Sequence, residues 1–190
     1  NVEPGTSGTL SIQITNQGNG QETMALGASG VPPGWQVSFS QSSVTLGSSQ
    51  SSNNKETVGV DVFVPEDASA ESDAVISFTV GRGGGSTPYD SKDLTVSVAP
   101  RHEVSTIMIS DQQTGRSDQI VKFPLVISNE GNIRDTFRLQ ACDPGDQTGC
   151  GSPMWQSSFS DSDGNSITQL ALDPGQSTQI YLDVLVEGEE

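Results

Sequence analysis

The sequence predicts an all-β chain folded as two tandem β-sandwich domains. Three observations carry this reading. Apolar residues recur at every second position in many short runs, no stretch sustains the 3.6-residue apolar stripe of a packed helix, and one phrase is written twice. That phrase is "SIQITNQGNG" at 11–20 and "LVISNEGNIR" at 125–134. A chain of 190 residues suits two domains of about 95 residues each, large enough for a sandwich to bury a core.

The elements follow in order. Leu10, Ile12 and Ile14 alternate with Ser11, Gln13 and Thr15, the pattern of a half-buried antiparallel strand. Further runs come at Met24/Leu26, Trp35/Val37/Phe39, Val44/Leu46, Val58/Val60/Val62/Val64, Ala74/Ile76/Phe78/Val80 and Leu94/Val96/Val98. Gly, Pro, Ser or Asn bounds each of them, as expected of short strands joined by turns. The second half repeats the order with Ile107/Ile109, Val121/Phe123/Leu125/Ile127, Phe137/Leu139, Trp155/Phe159, Leu170/Leu172 and Ile180/Leu182/Val184/Val186. "VGVDVFV" at 58–64 has its partner in "IYLDVLV" at 180–186, and the length differences fall in turns. The recurring Asn-x-Gly-Asn, at Asn16/Gly18/Asn19 and Asn129/Gly131/Asn132, reads as a hairpin closure, because Gly and Asn tolerate positive φ. The domains are read as residues 1–99 and 103–190, with the hinge at Ala99 to Glu103.

The two copies do not share their ends. "EVSTIMIS" at 103–110 opens the second copy with a strand that the first copy lacks. The runs around Ile76 and Leu94 in the first copy have no counterpart after Val186. Each domain is therefore expected to lack core strands, and the edge beside Leu10 to Ile14 or Ile180 to Val186 to take a strand from another chain.

"PGTSGTLSIQITNQGNGQETMAL", "PPGWQVSFS", "VTLG" and "VGVDVFVPEDA", then "FPLVISNEGNIRDTFRL", "MWQSSFS" and "LALDPGQSTQIYLDVLV", cover nearly the whole chain. Together they resemble the immunoglobulin-like repeats of archaeal and bacterial surface proteins, the alpha-galactosidase-associated and CARDB-like (cell-adhesion-related) sandwich domains. The resemblance implies two tandem immunoglobulin-like β-sandwich domains in a secreted, non-catalytic module of a cell-surface protein: a stalk, filament, shell or S-layer-type repeat. It implies copies of itself or neighbouring immunoglobulin-like repeats as partners, and it supplies no catalytic residues. An alternative is a carbohydrate-binding or accessory module of a secreted glycoside-active enzyme, with surface glycans as ligands.

Charge narrows the partners further. Twenty-four acidic against eight basic side chains leave a formal charge of -16, which repels nucleic-acid phosphates and anionic lipid. No run of about 18 apolar residues could insert in a bilayer. Only Cys142 and Cys150 are present, flanking a loop with Pro-Gly and Thr-Gly that folds back readily. A local disulfide is expected, the alternative being a reduced pair, and with it an oxidising, extracellular location. The chain opens directly in "NVEPG", so a secretion signal would have been removed or lie outside this segment.

An enzyme needs an activated nucleophile or a paired acid and base. The single histidine, His102, lies in the hinge, so no Ser-His-Asp set can form, and no catalytic residue is expected. Asp161, Asp163 and Asn165 in "SDSDGNS" offer oxygen ligands suited to calcium, the only cofactor the residues suggest. As an EF-hand the stretch fails: counting from Asp161, Gly164 is fourth and Leu172 stands where a bidentate Glu belongs, so a plain Asp-Gly turn is the competing reading. Trp35 and Trp155 each precede a Phe of the same parity, Phe39 and Phe159, which favours core packing over sugar stacking. Tyr89 is the aromatic expected to be exposed.

Overall fold

The computed structural model describes residues 1–71, 73–82, 88–142 and 155–187. These residues form strands and connecting segments without a helix, in several antiparallel sheets arranged as β-sandwiches. The chain divides into two compact units, Asn1–Pro100 and Arg101–Glu190.

In the first unit the strands are β1 (Ser7–Thr15), β2 (Glu22–Ser29), β3 (Gln36–Phe39), β4 (Ser43–Leu46), β5 (Lys55–Phe63), β6 (Ala74–Arg82) and β7 (Pro88–Val96). One sheet has the order β1-β5-β3 and the other β4-β2-β6-β7. The alternation of the sequence sets the faces: Val58, Val60, Val62 and Val64 are all at most 1% exposed, while Asp61 between them faces solvent. Each such valine contributes about 1.5–3 kcal/mol of burial. Val60, Val62 and Val64 meet Ile76, Phe78 and Val96 from the opposite sheet and Val98 just beyond β7, and Phe39 packs edge-on against Phe78 with ring centres 6.1 Å apart. A second cluster of Ile14, Met24, Val44 and Leu46 closes around Val58.

In the second unit the strands are β8 (Val104–Met108), β9 (Ile120–Asn129), β10 (Asp135–Arg138), β11 (Ser157–Ser160), β12 (Ser166–Ile167), β13 (Gln169–Leu172) and β14 (Ser177–Leu185). Their sheets run β12-β11-β14-β9-β8 and β10-β13. The core is smaller: Leu125, Ile127, Leu172 and Ile180 are buried, with Phe137, Leu139, Phe159 and Leu182 only partly so. Leu182 holds the place of the fully buried Val60, so the two cores are not equally covered.

The repeat is visible in hydrogen bonds as well as in letters. Gly5 N–H donates to Val64 O at 3.0 Å and Val64 N–H to Thr6 O at 2.9 Å. The same pair recurs as Asp118 N–H to Val186 O at 2.8 Å and Val186 N–H to Gln119 O at 2.9 Å. Gly5 (φ 75) and Asp118 (φ 64) both turn through the left-handed region, which Gly and Asp enter most readily.

Two details depart from the sequence reading. Asn-x-Gly-Asn does not close a hairpin, because β1 and β2, like β9 and β10, belong to different sheets. The segment is instead a crossover between layers. Nor is Ile180–Val186 an edge, since β14 is paired on both sides, by β9 and β11. A sequence that is buried on one face says nothing about which of its two edges is paired.

Candidate functional site

A groove of about 670 Å³ lies in the first unit. Its walls are Ile12 to Thr15 of β1, the crossover 16–21, Glu22 and Met24 of β2, Phe78 and Val80 of β6, and Tyr89 to Lys92 of β7. β1 ends one sheet and β7 ends the other, so this is a lateral opening of the sandwich between two edge strands. Farther down β1 the opening is occupied by Val2, which lies against Gly8 and bridges in parallel to Val98.

Backbone alternation shows what the β1 edge offers. Asn16 N–H donates to Asn54 O and Val64 N–H to Thr6 O, so the even-numbered positions of β1 face β5. Ser11, Gln13 and Thr15 therefore turn their N–H and C=O groups outward, along the groove. Among the described residues no strand pairs with them. In the second unit the corresponding edge of β9 is taken: β8 pairs with Leu125 to Asn129, the stretch matching Ile12 to Asn16. The reverse contrast holds in the opposite layer. β2 is paired by β4 and β6, whereas β10 is paired by β13 alone among the described strands.

The matching buried asparagines Asn16, which lines the groove, and Asn129 in the second unit do the same work. Asn16 Nδ2 donates to Gly20 O and Gly47 O, both at 2.8 Å, and its Oδ1 accepts Gly18 N–H at 2.8 Å. Asn129 Nδ2 donates to Ile133 O at 2.9 Å and Leu172 O at 3.0 Å, and its Oδ1 accepts Gly131 N–H at 2.9 Å. Each side chain ties its crossover to the end of a strand in the opposite layer, which is why Asn recurs there. Sequence reasoning found the residues and missed this role, because the acceptors Gly47 and Leu172 lie 31 and 43 residues away.

At the rim, Tyr89 is 57% exposed, and its hydroxyl donates to Glu22 Oε1 at 3.4 Å. Arg82 Nε donates to the same carboxylate oxygen at 3.2 Å. Trp35 packs partly buried against the first core, whereas Trp155 is 53% exposed and precedes β11 rather than lying in it. The shared parity with Phe159 placed Trp155 on a core face, but parity orients a side chain only inside a strand.

Asp161, Asp163 and Asn165 come together in the loop joining β11 and β12. Asp161 Oδ1 accepts the N–H of Asp163 at 3.0 Å and of Asn165 at 2.8 Å, and Oδ2 accepts Asn165 Nδ2 at 2.9 Å. The Asn165 side chain, first, and these backbone donors hold the Asp161 carboxyl below the usual carboxylate range. Gly164, at φ 86, makes the turn. The carboxylate is thus engaged by its own loop, and among the described residues no three His, Cys, Asp or Glu gather where they could hold a metal ion.

His102 Nδ1 lies 2.8 Å from Asp135 Oδ2 on the surface. That hydrogen bond, followed by the Thr136 N–H, lowers the Asp135 pKa. Cys142 ends a described run, and Cys150 lies outside the described residues. Among the described residues no helix is long and apolar enough to cross a membrane.

No family model matches the chain, and no curated protein matches it. Among solved structures, the crystal structure of the Pseudomonas aeruginosa CupB2 chaperone is similar at a TM-score of 0.33 and 6% identity, over 90% of this chain and 80% of that one.

Proposed function

We propose that the chain is a non-catalytic structural or adhesive module of an extracellular surface protein, built from two immunoglobulin-like sandwiches that join their neighbours by strand exchange. The observation supporting this is the pair of unpartnered edges. β1 lacks a strand where β9 has β8, and β10 lacks one where β2 has β6, among the described strands. Open edges next to half-covered apolar side chains are templates for β-augmentation. A charge of -16 keeps such a surface soluble and steers it away from nucleic acid and anionic lipid. The Cys142–Cys150 pair belongs to the same proposal as a disulfide suited to an oxidising exterior.

Amide hydrogen exchange tests the reading. In the isolated chain the outward amides of Ser11, Gln13 and Thr15 should exchange fast, and in assemblies recovered from the native cell envelope they should be protected. Equal exchange in both would remove strand exchange from the function.

The alternative, a glycan-binding accessory module, draws on one observation, the exposed Tyr89 ring at the rim of the groove. Binding on a glycan array that disappears with Tyr89→Ala would favour it.

A further inference from the structure

The two units are internal controls for each other, and they differ at one place where a strand is present in one and a groove in the other. β8 pairs with β9 in the register Val104↔Asn129, Thr106↔Ile127 and Met108↔Leu125. Partners directly opposite share a face, so Val104 and Met108 lie on the same side as the buried Asn129 and Leu125. They are nevertheless 50% and 46% exposed. Among the described strands the opposite layer of this unit consists of β10 and β13 alone. β8 is thus well hydrogen-bonded and poorly buried. The groove of the first unit has the complementary defect: a β1 edge unpaired among the described residues, with an apolar wall of Met24, Phe78 and Val80 standing opposite it.

We infer that the groove receives β8 of a second copy of this chain, transferred from β9 to β1. The inference rests on the strand-exchange part of the proposed function and names its donor, its acceptor and its register. The repeat sets that register: Val104 comes opposite Asn16, Thr106 opposite Ile14 and Met108 opposite Ile12, while Ser105, Ile107 and Ile109 bond to the outward groups of Thr15, Gln13 and Ser11. The backbone bonds lost at β9 are regained at β1, and Val104 and Met108 gain the apolar wall they lack at home. The driving force is therefore burial rather than hydrogen-bond number. Because donor and acceptor are different surfaces, the contact is heterologous and propagates into rings or filaments. The charge of -16 opposes it, so association strengthens with salt.

The test is sedimentation of the intact chain over a range of concentrations in about 0.5 M salt, where a Debye length of a few Å removes most repulsion. Concentration-dependent association is expected. An excess of the synthetic peptide of residues 103–109 should suppress it, and the same peptide N-methylated at Ser105 and Ile107 should not, because those amides carry the pairing. Gln13→Pro removes an outward N–H of β1 and leaves the β5 ladder intact; it should weaken association about tenfold or more. If that variant does not fold, the two peptides decide. Association that persists in Gln13→Pro, or that ignores the unmodified peptide, overturns the inference. A chain that stays monomeric also overturns it. In that case, labelled peptide that still binds the monomer leaves the broader strand-accepting reading standing, and absence of binding removes both.

Discussion

At the scale of single residues, Asn16 and Asn129 show how a small polar group can hold two layers together. Each is at most 4% exposed and satisfies one amide and at least two carbonyls. Asn129→Ala would leave the carbonyls of Ile133 and Leu172 and the amide of Gly131 without these partners. We expect a loss of about 2–4 kcal/mol in urea unfolding followed by circular dichroism. Asn129→Asp should be no milder, since it sets an acceptor against two acceptors. A change at the neighbouring Gly131 is costly for a different reason: a Cβ there would collide with the Arg101 carbonyl oxygen. Two surface carboxylates give the pH dependence. Asp135 and Asp161 have their folded pKa values lowered, by the His102 and Asn165 side chains respectively. Their contributions are therefore present above the ordinary Asp value of about 3.9 and are lost as pH falls through the depressed values. Carboxyl titration by NMR should place both midpoints below the ordinary value, and Asp161→Asn should flatten the fall in melting temperature below about pH 4. A midpoint at or above the ordinary value would contradict the His102 hydrogen bond for Asp135 and the loop geometry for Asp161.

At the scale of elements, the cysteine segment and the β11–β12 loop make separate predictions. Cys142 and Cys150 should be bonded in native material, because the loop between them is short and the chain has no other thiol. Unreduced protein should take up no alkylating reagent and should be two mass units lighter than the reduced form; two labelled thiols would exclude the bond. The loop of Asp161, Asp163 and Asn165 already fills the coordination of Asp161 with its own N–H groups. To bind calcium it would have to give these up. Calcium at low millimolar concentration should stabilise the protein no more than matched magnesium if the loop is only a turn, and clearly more if it is a site.

At the scale of the whole molecule, the dominant feature is charge. Twenty-four acidic groups against eight basic ones repel one another within a chain and between chains. Raising monovalent salt should therefore raise the melting temperature and, through the same screening, promote association. A melting temperature that falls with salt would mean that the ion pairs, such as Lys122 with Asp183 at 3.2 Å, outweigh the repulsion. Most of the pairs are exposed at the surface, where each contributes about 1 kcal/mol or less, so the net repulsion should win.

The sequence by itself determined the all-β class, the inward face of most strands and the doubling of one pattern, because period-two alternation and turn residues are local properties of the chain. Val58 to Val64 could be assigned to a core from their spacing alone. Tertiary structure decided everything that depends on a neighbour. It made Asn-x-Gly-Asn a crossover, placed β14 at the centre of its sheet and left Trp155 in solvent. It also set a β1 edge, open among the described residues, beside an apolar wall while leaving Val104 and Met108 half uncovered. Alternation tells which side of a strand is apolar; only the assembled sheets tell which edge has a partner, since hydrogen-bond pairing lies perpendicular to the direction that the side-chain pattern records.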